Sequence, residues 1–251
     1  MSLITETSLR AELRNQKVEK YSIKKTTKIT PSAIQFLKDR KIELVIEDEN
    51  ASCNEKPDNA KTGDSSKASA KYVLLGTECG INEKPEYMTQ LHGNKLVYKD
   101  HPRIALRGML DSLQSELLEL QLKVSKAKVE TLLNELSEVL QYIRNILRCE
   151  VLEEEFTHTN LIGLNESELR EWSHNPMKHF NMKHVLPSYD MGELTIGLNS
   201  LRSSTRQVEL SAIKAFKTEE GIVRADILKA LNRLSSCLYI MMLKNINGLY
   251  K

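Results

Sequence analysis

Arg202, Arg206 and Glu209 fall at positions i, i+4 and i+7, which puts two guanidiniums and a carboxylate on one face of a helix. Guanidiniums recognise carboxylates and phosphates through paired N–H donors, so such a face suits an anionic ligand or a neighbouring chain. A plainer reading stands beside it. Arg206 and Glu209, three residues apart, can pair with each other on a solvated surface for roughly a few tenths of a kcal/mol. A second polar set, Asn232-Arg233-Leu234-Ser235, lies downstream, and its Asn232 amide can face a site or be an ordinary surface group.

The elements that must carry these groups read as helices. Leu194, Leu198, Leu201, Val208, Ala212 and Ala215 recur at steps of three and four, interrupted only at Thr205, and Ile227, Leu231, Leu234, Leu238 and Met241 form another stripe with Asn232 at its edge. Upstream, Leu106, Leu110, Leu113, Leu117 and Leu120 repeat in the same way, as do Val129, Leu132, Leu136, Val139, Ile143 and Leu147. A shorter helix is expected over about 166–172, and Asp190 with Glu193 has the form of a capping box opening a helix that runs to about Thr218. The last helix begins near Val223. The fold class is therefore mainly α, four long helices and a short one, with a small α/β appendage over residues 1–50. There Thr30 and Pro31 open a short helix ahead of a strand-like Ile42–Ile46. Residues 51–71, rich in Asp, Glu, Asn, Ser, Lys and Gly, read as a flexible linker, and 72–251 as the helical body.

Composition excludes several classes. A net charge of +2 spread along 251 residues leaves no basic stripe for nucleic acid. The longest apolar run, Cys237–Leu243, is far short of the roughly 20 residues that span a bilayer, so no membrane partner is expected. The start lacks a positive and apolar leader, and four scattered cysteines suit a reducing cytoplasm. Aromatics make up only 5%, so Leu, Ile and Val must build the core. Glu155-x-x-His158 has the spacing of a di-iron carboxylate pair, but such a site needs two pairs and further glutamates, and His158 reads better as a loop histidine.

Leu201–Glu209 and Leu231–Ser235, together with Lys99-Asp100-His101-Pro102-Arg103-Ile104, Gly108 and Asp111, resemble corrinoid adenosyltransferases of the propanediol-utilisation type. Ile4-Thr5-Glu6-Thr7, Thr30-Pro31-Ser32-Ala33 and Val223–Leu228 bring the chain closer still to the ethanolamine-utilisation branch. The resemblance implies a five-helix bundle that moves the 5′-deoxyadenosyl group of ATP, with Mg²⁺, to the cobalt of cobalamin. It also implies a homo-oligomer, a trimer, with the site between subunits, a corrinoid-dependent ammonia-lyase as partner and a bacterial microcompartment as setting. Arg206 and Lys99 match positions that contact the phosphates, Asn232 one that contacts the nucleotide, and Glu209 a site carboxylate. Arg202 and Asp111 match a pair that bridges subunits, although Arg107, four residues before Asp111, is a competing partner within one helix. Lys61-Thr62-Gly63-Asp64 echoes a phosphate-cradling loop, with Ser66 where its second glycine stands; Gly-Asp is equally at home in a linker.

Two departures matter. The family places a Phe-x-Leu-Pro stretch below the cobalt, where this chain has His184-Val185-Leu186-Pro187. Either His184 itself meets the corrinoid, or Phe180 or Tyr189 displaces the lower ligand, or His184 is a plain loop residue. The ethanolamine branch also carries a His and a Cys-Cys-x-x-Cys cluster, of which Cys79 alone remains, so no transition metal is expected. That loss leaves a second function open, a non-catalytic corrinoid carrier or assembly scaffold.

Overall fold

The structure is a computed structural model of the chain. It describes residues 70–77 and 79–250 and, of the first 47, residues 3–4, 9, 20–24, 28–30, 32–33, 36–37, 40 and 42–47. Two compact units divide the chain, residues 1–68 and 69–251.

In the first unit, β1 (Leu3–Ile4) pairs in parallel with β3 (Lys28–Ile29), and β2 (Lys20–Lys24) with β4 (Glu43–Glu47). Ser32, Ala33, Phe36 and Leu37 are helical, and Thr30 Oγ1 accepts from the Ala33 amide at 3.4 Å, as a cap at that position does. Leu9, Ala33, Phe36, Leu37 and Ile42 form a small core. The expected loop at Lys61–Asp64 lies outside the described residues.

The second unit opens with four strands that periodicity had left unassigned: β5 (Tyr72–Leu74), β6 (Gly80–Ile81), β7 (Met88–His92) and β8 (Lys95–Tyr98), in the order β6-β5-β8-β7. Gly93 and Asn94 join β7 to β8, with Gly93 at φ +54°, a conformation glycine adopts without penalty.

Then come α1 (Pro102–Lys126), α2 (Glu130–Leu152), α3 (Glu166–His174), the one-turn α4 (Pro176–Phe180), α5 (Glu193–Phe216), a short hairpin β9–β10 (Lys217–Thr218, Gly221–Ile222) and α6 (Ala225–Ile246). The apolar stripes of the four long helices close one core, each fully buried leucine contributing about 1.5–3 kcal/mol. Thr205, which interrupts the α5 stripe, is also buried, its hydroxyl donating to the Leu201 carbonyl at 2.8 Å.

α1 and α5 run antiparallel. Lys123 pairs with Glu193 at 3.1 Å, and a Cβ on Gly197 would sit 2.5 Å from Leu120 Cδ1, so only glycine permits that approach. The capping box expected at Asp190 does not form. Tyr189–Met191 is a 3₁₀ turn, and Gly192, at φ +85°, is the N-cap of α5 with no side-chain cap. The reversal at Gly192 starts the helix beyond reach of the Asp190 carboxylate. A capping box does open α3, between Asn165 and Glu168.

A buried charge cluster anchors the sheet to the bundle. Glu150, fully buried, accepts from Arg103 Nε at 2.6 Å and from Arg107 Nε. Arg107 Nη2 also donates to the Leu91 carbonyl of β7 at 2.9 Å, and Arg103 Nη1 to Glu153 at 2.7 Å.

Candidate active site

α5 and α6 are antiparallel, and their register decides which side chains meet. Asn245 Nδ2 donates to Thr195 Oγ1 at 2.8 Å, Tyr239 lies beside Arg202, and Asn232 Nδ2 donates to Glu209 Oε1 at 3.1 Å. The other end of the Asn232 amide accepts from Arg233 Nη2, so the amide is held at both ends and Glu209 is held by it.

Arg202 is half-buried. Its Nη2 donates to Asn199 Oδ1 at 3.0 Å, and its guanidinium carbon lies 6.0 Å from the Tyr239 ring centre. Burial lowers its pKa, and the neighbouring Arg206 cation lowers it further. Arg206 is exposed and, among the described residues, has no hydrogen bond or ion pair. The surface pairing of Arg206 with Glu209 is thus not formed. Two adjacent cations remain without a counter-charge, beside a carboxylate that a neutral amide orients. An anion laid across this face gains charge-assisted hydrogen bonds from both guanidiniums.

The remaining expected residues are dispersed. By the pairing of Gly197 with Leu120, Asp111 of α1 lies level with Arg206; it is exposed, and its carboxylate has no partner among the described residues. Its competing partner, Arg107, is committed to Glu150 and Leu91. Lys99 is exposed in the turn before α1, its amide donating to the Tyr87 carbonyl at 3.0 Å. Pro102, where α1 begins, lies about 13 Å along the bundle from the Arg206 level at 1.5 Å per residue. Phe180 is 8% exposed, edge-on to Trp172 at 5.8 Å between ring centres. It belongs to the bundle core. In the loop that follows, Leu186 is 86% and Tyr189 92% exposed. His184 is exposed and stacks on Tyr239, with Nδ1 3.3 Å from the Tyr239 hydroxyl.

Two clefts open elsewhere on this unit. One, of about 660 Å³, runs along α3, α4 and the following loop past Met177, Lys183 and His184. The other, of about 470 Å³, is lined by Tyr142, Phe156, His158 and Arg233 among others. Neither is lined by Arg202, Arg206, Glu209 or Asn232. Glu155 and His158 follow α2 in a non-helical stretch, both exposed, so the Glu-x-x-His spacing does not place them on one helix face and the di-iron reading loses its basis. Among the described residues no three His, Cys, Asp or Glu side chains come close enough to hold a metal ion.

Residues 81–245 match the family model for cobalamin adenosyltransferase. The chain belongs to that family. It is 30% identical to the corrinoid adenosyltransferase EutT of Salmonella typhimurium strain LT2, over 97% of this chain and 92% of the relative. It is 28% identical to EutT of Escherichia coli strain K12 over the same shares. Among solved structures, a PduO-type ATP:corrinoid adenosyltransferase variant from Lactobacillus reuteri, complexed with cobalamin and ATP, superposes with a TM-score of 0.52 at 22% identity, covering 66% of this chain and 92% of its own. That likeness carries the helical fold. In this cobalamin adenosyltransferase family member, sequence reasoning missed Tyr239, which touches both Arg202 and His184. The signal was present: Tyr239 is seven residues after Asn232 and shares its face.

Proposed function

We propose that the protein transfers the 5′-deoxyadenosyl group of ATP to the cobalt of cob(I)alamin, releasing triphosphate and yielding adenosylcobalamin for ethanolamine utilisation. The observation that carries this reading is the Arg202–Arg206 pair, two neighbouring guanidiniums without a carboxylate to neutralise either. A polyphosphate with roughly three to four negative charges is the ligand such a face accommodates best.

In this reaction reduced cobalt supplies the electron pair that attacks C5′; a cobalt–carbon bond forms, the C5′–O bond breaks, and its electron pair leaves with triphosphate. No side chain of the protein acts as nucleophile, so the chain contributes position and charge. Arg206 and Arg202 take the phosphate oxygens, where negative charge grows as the bond breaks. Asn232 contacts the nucleotide. Glu209, oriented by Asn232, faces Arg206 or the Mg²⁺ that arrives with ATP. One carboxylate beside phosphates and water is a fitting environment for Mg²⁺, which keeps most of its water ligands. Of the His and Cys-Cys-x-x-Cys cluster of the ethanolamine branch the sequence keeps Cys79 alone, and on that ground we extend the reading to a protein without a transition metal.

The site lies between protomers in this reading. The Asp111 carboxylate has no partner among the described residues and is available to Arg202 of an adjacent copy. Exposed Leu118 and Leu122 on α1, and Leu210 and Ile213 on α5, supply apolar surface on the same two helices. A homotrimer in a bacterial microcompartment, serving a corrinoid-dependent ammonia-lyase, completes the proposal.

Arg206→Ala tests it. Conversion of cob(I)alamin with ATP is expected to slow by about 10²–10³-fold, as on removing one preorganised charge donor, with the melting temperature unchanged because the side chain is exposed and unpartnered. Equal rates for variant and wild type point instead to a carrier or scaffold.

A further inference from the structure

We infer that Tyr239 is a positioning residue that ties the loop after α4 to Arg202, so that the corrinoid-side loop and the nucleotide-side cation are held by one ring. The inference deepens the adenosyltransferase reading and rests on it for the identity of the two substrates. Its geometry is independent of that reading.

Tyr239 stands on α6 with a partner on each side. The Val185 amide donates to its hydroxyl at 3.1 Å, and the same hydroxyl lies 3.3 Å from His184 Nδ1. The His184 and Tyr239 rings lie 16° from parallel with centres 6.2 Å apart. Arg202 lies 6.0 Å from the ring centre, within the range where a guanidinium is attracted to an aromatic face. Arg202 needs such company. Burial and the Arg206 cation both disfavour its charge, while its hydrogen-bond partner, Asn199, is neutral.

The loop needs it as well. His184, Leu186, Pro187, Ser188 and Tyr189 are all exposed, and no helix or strand covers 181–188. Among the described residues the polar side-chain contacts of Lys183–Ser188 are those to Tyr239. Met182 and Val185 also pack on the bundle core, so releasing the hydroxyl removes the loop's polar tether and loosens it, and removing the ring also releases Arg202.

Two variants separate these functions. Tyr239→Phe keeps a ring against Arg202 but loses both contacts of the hydroxyl. It is expected to raise KM for cob(I)alamin with KM for ATP unchanged, and to speed tryptic cleavage after Lys183 by about fivefold or more, the equivalent of one lost hydrogen bond. Tyr239→Ala is expected to raise KM for ATP as well. Circular dichroism and the melting temperature of the Phe variant should match wild type. If Tyr239→Phe raises both KM values alike, or leaves cleavage at Lys183 at the wild-type rate, the tether is overturned. Should wild-type protein show no adenosyl transfer, the functional reading fails, and the cleavage comparison alone decides the tether: faster in the Phe variant supports it, unchanged overturns it.

Discussion

At the scale of single residues, the site is a set of charges whose usual partners are withheld. Glu209 sits one turn from Arg206 yet takes its hydrogen bond from Asn232, across the α5–α6 seam. A neutral amide orients the carboxylate without cancelling the arginines. Asn232→Ala removes that restraint and lets Glu209 swing to Arg206, satisfying the cation that a ligand should meet. KM for ATP is expected to rise by roughly tenfold or more, the loss associated with a hydrogen bond to a charged group, measured by steady-state kinetics at saturating corrinoid. An unchanged KM would leave the amide no part in nucleotide handling. Phe180 illustrates the opposite case: its ring meets Trp172 edge-on within the core.

At the scale of elements, the start of α1 is where the sheet, α1 and α2 are joined. Glu150 has no access to water and is held by two guanidiniums, so Glu150→Ala leaves Arg107 without a carboxylate and Arg103 with Glu153 alone. Its cost is expected at about 3–5 kcal/mol, read as a lower urea midpoint with an unchanged slope. His101 adds a pH dependence at the same place. Its Nδ1 accepts from the Arg103 amide at 3.2 Å, and burial, then Arg103 and Arg107, hold its pKa below the ordinary 6.5. The unfolded chain therefore binds a proton at higher pH than the folded one does. Stability from this group is complete above about pH 6.5 and declines as pH falls from there toward the folded pKa. His101→Asn keeps an acceptor for the cap without titrating, and its melting temperature should fall less than that of wild type between pH 7.5 and 5.5.

At the scale of the whole molecule, the candidate site shares its helices with exposed apolar side chains. Asp111, Leu118 and Leu122 share one side of α1, seven and eleven residues apart, while Arg206, Leu210 and Ile213 are exposed on α5. On the proposed shared site, Leu118→Glu is expected to give a monomer by light scattering and to abolish adenosyl transfer, and wild-type specific activity is expected to fall on dilution. A monomeric preparation with full activity would sink the shared-site model.

Much of this was legible in the chain itself. The four long helices follow from leucine, isoleucine and valine spaced at threes and fours, because a buried stripe leaves its period in the sequence. Arg202, Arg206 and Glu209 could be placed on one face for the same reason. The Gly93-Asn94 pair between Met88–His92 and Lys95–Tyr98 is a two-residue hairpin signal that the sequence carries by itself. Helix register was not legible. That Glu209 meets Asn232 rather than Arg206, that Arg107 turns to Glu150 rather than Asp111, and that Tyr239 lies between Arg202 and His184 depend on how far one helix slides along the next. Local periodicity is unaltered by such a slide, so only the packed core, through contacts such as Gly197 against Leu120, could decide it.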